Sequence, residues 1–70
     1  MDLQKLLIFT YRHEINIQIN WFWDGDVDIK IGDENNGYEA EATIEIEKLT
    51  EWLFSNLKRI YPTLHWEEVI

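Results

Sequence analysis

Seventy residues make one domain, and with no cysteine neither a disulfide nor a thiolate metal site can staple it, so stability must come from apolar packing or self-association. A content of 46% hydrophobic and 14% aromatic residues, with three Gly and one Pro, excludes a disordered chain. The formal net charge of −8 is local: Asp24 to Glu47 carries nine acids against Lys30 alone, and the remaining acids and bases cancel.

From Asp2 to Arg12, Leu3, Leu6, Leu7 and Tyr11 recur at i, i+3, i+4 and i+8, which predicts a first helix with Asp2 as its N-cap. A strand through Leu6–Phe9 competes, because Ile8 and Phe9 lie off that stripe. From Glu14 the period becomes two: Ile15, Ile17, Ile19, Trp21 and Trp23 alternate with Asn16, Gln18, Asn20 and Phe22. Asp24–Gly25 signals a hairpin, after which Val27, Ile29 and Ile31 alternate with Asp28 and Lys30. A second turn spans Gly32–Gly37, and a third strand follows in which Tyr38, Ala40, Ala42, Ile44 and Ile46 alternate with Glu39, Glu41, Thr43, Glu45 and Glu47. Leu49, Trp52, Leu53, Leu57 and Ile60 mark an amphipathic second helix that Pro62 ends. The tail 62–70 keeps Leu64, Trp66, Val69 and Ile70, too apolar to lie wholly in water.

Residues opposed in a sheet must share a face. A three-residue loop, Asp24 to Asp26, sets Trp23 against Val27, Trp21 against Ile29 and Ile19 against Ile31. A four-residue loop, Asp33 to Asn36, sets Ile31 against Tyr38 and Ile29 against Ala40. The expected fold is therefore a single α+β domain, α-β-β-β-α, with a three-stranded antiparallel meander and both helices on one face.

The opposite face then gathers Asp26, Asp28, Glu39, Glu41, Glu45 and Glu47 into an acidic plane. Alternate strand residues lie roughly 6.7 Å apart, close to the spacing of phosphates along a nucleic-acid strand, so the plane could present ordered anions to a basic cleft. The plainer reading is a solvated sheet face with acids guarding against aggregation. Aromatics are the second signal: Phe22 falls on the polar face, Phe54 lies off the second helix's stripe and Trp66 is in the tail, which makes these three candidates for an interface. Core filling is the stronger reading for Trp21 and Trp52.

Asp24, Asp26 and Asp28 have the opening spacing of a calcium loop, but Ile29 stands where Gly is needed and Asn35 where a bidentate Glu belongs, so no metal is assigned. His13 and His65 are isolated. Ser55 is the only serine, there is no Gly-rich phosphate loop, and carboxylates exposed on a strand have nothing to separate their pKa values. The chain is expected to be neither an enzyme nor a cofactor binder. Without a long apolar run or a basic, cleavable leader, the expectation is no membrane association and a cytoplasmic location.

In element order the chain resembles double-stranded RNA-binding domains. Those domains set Lys clusters at the start of the second helix, where this sequence has Glu45, Glu47, Lys48 and Glu51, so direct nucleic-acid binding is rejected. In length, acidity and lack of cysteine it is similar in style to small phage-encoded inhibitors of bacterial defence nucleases. Three functions follow as expectations. The first is an interaction module, such as an inhibitor, whose acidic face engages a basic, nucleic-acid-binding surface of another protein. The second is a homo-oligomer, such as a homodimer, with a ligand pocket near Trp21, Trp23 and Trp66. The third is a structural subunit that docks through its tail.

Overall fold

The computed structural model describes residues 2–69, and Ile70 of the expected apolar tail lies outside the described residues. The chain forms α1 (Leu3–Arg12), β1 (Ile17–Trp21), β2 (Val27–Asp33), β3 (Gly37–Ile44), a 3-10 turn (Ile46–Lys48), α2 (Leu49–Ile60) and a 3-10 turn in the tail (Trp66–Val69). The three strands make one antiparallel sheet in the order β1-β2-β3. Both helices pack on the same side of it, as the α-β-β-β-α pattern predicts.

Asp2 caps α1 by accepting the Gln4 N–H at 2.9 Å, which satisfies one of the donors a helix start leaves free. The helix settles the competition for Leu6–Phe9. Its buried side is rotated from the expected stripe, because Leu6, Phe9 and Thr10 are buried while Tyr11 is 84% exposed. Thr10 remains satisfied by donating to the Leu7 carbonyl at 2.7 Å.

The β1–β2 register differs from the expected one by two residues. Trp21 faces Val27, Ile19 faces Ile29 and Ile17 faces Ile31. The chain reverses early, in a turn closed by Gly25 N–H to Phe22 C=O at 3.1 Å, so the loop is Phe22–Asp26 and Trp23 belongs to no strand. A shift of two preserves parity, and the apolar residues keep their common face.

The β2–β3 register is also corrected. Val27 faces Ile44, Ile29 faces Ala42 and Ile31 faces Ala40, but Gly32 faces Tyr38, so Glu39 is an extra residue in a β-bulge. Gly32 makes the bulge feasible. Its φ is 115°, and a Cβ there would sit 2.6 Å from the Gly37 carbonyl oxygen. Asp33 fastens the adjoining turn by accepting the Asn36 backbone N–H at 2.8 Å and the side-chain amides of Asn36 and Asn16. The Asn36 backbone bond, followed by its side-chain amide, holds the Asp33 carboxyl below the usual carboxylate range.

The core unites Leu6 and Phe9 of α1, Val27, Ile29 and Ile31 of the central strand, Leu49, Leu53 and Leu57 of α2, and Trp66 and Val69 of the tail. The inward residues of the edge strands, Ile17, Ile19, Ala40, Ala42 and Ile44, are only half-buried. The tail therefore packs against its own domain. Trp66 lies 4.8 Å from Phe9 and 5.9 Å, edge-on, from Phe54, and its indole N–H donates to the Tyr61 carbonyl at 2.8 Å. No helix is long and apolar enough to cross a membrane among the described residues.

Candidate functional site, the acidic and aromatic end of the sheet

The open face of the sheet is not the polyanionic plane that alternation predicts. It holds Gln18 and Asn20 from β1, Asp28 and Lys30 from β2, and Tyr38, Glu41 and Thr43 from β3. Tyr38 reaches this face because the bulge turns it there. Its hydroxyl lies 3.4 Å from Gln18 Oε1, and Lys30 Nζ stands 4.9 Å above its ring. Thr43 donates to Asp28 at 2.7 Å, and Lys30 is in register with Glu41. Two carboxylates around one ammonium make a mixed polar surface.

The other four acids of the expected plane go elsewhere. The bulge carries Glu39 to the helix side, where its carboxylate lies beside the Tyr61 hydroxyl; burial first, and then Glu39, push that phenol above its ordinary value. Glu45 and Glu47 leave the sheet because β3 stops at Ile44, opposite Val27, the first residue of β2. Beyond that point no neighbouring strand remains to pair with, and the chain turns into the 3-10 turn Ile46–Lys48. Asp26 precedes β2 in the loop.

The topology nevertheless brings three of these acids together. β1 leaves the sheet, β2 enters it and β3 leaves it at the same end, so the loop Phe22–Asp26 and the segment Glu45–Lys48 are neighbours there. Asp24, Asp26, Glu45 and Glu47 gather at this end against Lys48. The same end collects exposed apolar side chains: Trp23 is 95% exposed, Phe22 76%, Trp21 61% and Ile46 53%. A run of three exposed aromatics on a 70-residue domain has a large desolvation gain available on contact.

Among the described residues, no Lys or Arg nitrogen lies within 4 Å of a carboxylate oxygen, and the one pair at that range is His65–Glu67 at 3.2 Å. The Glu67 carboxyl is held low by its own backbone N–H and then by His65. Lys48 is the one base in the two segments at the sheet end, and none of the four acids there has a Lys or Arg nitrogen within 4 Å among the described residues. No cluster of three His, Asp or Glu side chains suited to a metal ion occurs among the described residues.

Of the aromatic candidates, Phe22 belongs to this end, whereas Phe54 and Trp66 pack on each other and hold the tail in place. Trp66, enclosed by Phe9 and Phe54, is not free to line a pocket with Trp21 and Trp23. Alternation alone placed Trp21 and Trp23 in the core. Alternation gives no sign of their exposure, since residues 21 and 23 share one face of a strand. Trp21 is exposed because it forms the last pair of β1, and Trp23 because the chain has already turned at Phe22–Gly25. Compared with protein-family models, with curated proteins and with solved structures, the chain matches none.

Proposed function

We propose that this protein is a non-enzymatic interaction module that engages a basic surface of another protein through the end of its sheet formed by Phe22–Asp26 and Glu45–Glu47. The observation that carries this reading is the coincidence of exposed Phe22 and Trp23 with four acids that outnumber Lys48 and form no ion pair within 4 Å among the described residues. Aromatic faces attract guanidinium and ammonium groups, and carboxylates beside them add charge-assisted hydrogen bonds, so the combination suits Arg and Lys side chains. Long-range attraction by the net −8 charge would steer such a partner in. An inhibitor that occupies a nucleic-acid-binding cleft fits this chemistry, with aromatic contact and clustered charge as its means rather than a ladder of phosphate-spaced acids.

An arginine-rich peptide serves as the probe, with Trp fluorescence reporting its binding. Affinity is expected to fall by at least about tenfold between about 50 and about 300 mM salt. Asp24→Lys with Asp26→Lys should abolish binding, and Trp23→Ala should weaken it. Glu34→Lys with Glu68→Lys changes the net charge equally elsewhere and should retain most of it. Binding indifferent to salt, or lost equally in both charge variants, would refute this placement of the site.

A further inference from the structure

We propose that β1 is the seam of a homodimer, in which two copies pair their β1 strands antiparallel about a two-fold axis at Ile19 and join their sheets into one. In the order β1-β2-β3 the outer side of β1 has no strand partner among the described residues, so a row of backbone N–H and C=O groups faces outward. From Ile15 to Trp23 the sequence contains no charged residue. The other edge is protected, since β3 carries Glu39 and Glu41 and is distorted by the bulge. Two molecules of net charge −8 repel each other, and β1 is where they can approach with least opposition.

The strand is complementary to itself in this register. Ile19 would face the partner's Ile19, Ile17 would face the partner's Trp21, and Gln18 would face the partner's Asn20. Apolar residues thus meet on the helix side and amides on the open side. Trp21, left 61% exposed beyond Val27, gains the cover that its own domain does not provide.

The helix layer adds to the same flank. One side of α1 carries Phe9, which meets Trp66 and, through it, Phe54 of α2. Leu3, Leu7 and Tyr11, at i, i+4 and i+8, lie across the buried Leu6–Thr10 stripe from Phe9, and so on the side of α1 away from α2. The sheet contacts of α2 fall on β2 and β3, and the proposed dimer sets this side of α1 above β1. Leu3 and Leu7 are half-buried there and Tyr11 is 84% exposed, which leaves a shallow apolar surface bounded by Gln4 and Ile8. The same two-fold brings the partner's first helix to this surface.

Sedimentation equilibrium of the full chain from about 5 to about 200 µM should show a dimer. Tyr11→Glu combined with Trp21→Glu alters two side chains that are exposed in the monomer; it should leave the far-ultraviolet dichroism unchanged and weaken association at least about tenfold. In this cysteine-free chain, Ile19→Cys should form an intermolecular disulfide on mild oxidation, while Asn35→Cys in the far turn should not. A wild-type chain that stays monomeric at the highest concentration overturns the proposal. So does a dimer that survives the double substitution, or one in which the Ile19→Cys chain remains unlinked. Failure here leaves the basic-partner reading standing, since that reading needs neither β1 nor a second copy.

Discussion

Glu14 ends the first helix with a φ of 57°, the left-handed region that glycine occupies without penalty. The conformation is needed because the Ile15 N–H reaches back to the Thr10 carbonyl at 2.9 Å and the His13 N–H to Phe9 at 3.1 Å, closing the helix end and aiming the chain into β1. A side chain in this region costs about 1–2 kcal/mol, whereas glycine costs about 0.5–1 kcal/mol in unfolded-chain entropy. Glu14→Gly should therefore stabilise the protein by about 0.5–1 kcal/mol, an increase in Tm of about 2–8 °C for a domain of this size. Thermal melting at fixed salt checks this, and a lower Tm would show that the Glu14 side chain makes a contribution larger than its strain.

At the scale of elements, periodicity and capping carried most of the fold. Asp2 as N-cap, the change to period two after Glu14, and Leu49, Leu53 and Leu57 in α2 appear where the pattern put them. Two features of β3 did not. Its alternation continues through Ile46 and Glu47, yet the strand stops at Ile44, because strand length depends on where the neighbour begins and the early turn at Phe22–Gly25 was not legible as a loop boundary. The bulge reverses parity between Ala40 and Tyr38, so the face of Glu39 followed from a glycine whose role a two-residue period cannot express. The acidic plane failed for these two reasons, and the acids regrouped at the sheet end through topology. Gly32 is thus the position to test. Gly32→Ala places a Cβ against the Gly37 carbonyl at a φ of 115° and should cost about 1–3 kcal/mol. Gly25→Ala, with nothing within 4 Å and no positive φ, should shift stability by less than about 0.5 kcal/mol. Equal losses on denaturant unfolding would mean that the bulge does not depend on this glycine.

Taken whole, the molecule sets a thin core against an uncompensated field. Among the described residues ten buried apolar side chains hold the domain together, and a chain of 70 residues has roughly 3–10 kcal/mol of stability in total. Against this stand a net charge of −8 and, among the described residues, no Lys or Arg ion pair within 4 Å. Folding concentrates Asp24, Asp26, Glu45 and Glu47 at one end of the sheet, while the unfolded chain can spread them apart, so their mutual repulsion opposes the folded state. Salt screens that repulsion, with a Debye length that falls from about 20 Å near 20 mM to about 4 Å near 500 mM. Melting temperature should therefore rise over this range, in contrast to a domain held by surface ion pairs, which loses from screening. Glu45→Gln with Glu47→Gln should raise the low-salt Tm and flatten its dependence on salt, because it removes half of the four carboxylates at that end. A basic ligand bound there should do the same, stabilising most where salt is lowest. A Tm that falls with salt would mean that attractive pairs dominate the charge balance, and the sheet end would lose the electrostatic frustration on which its proposed binding of a cationic partner rests.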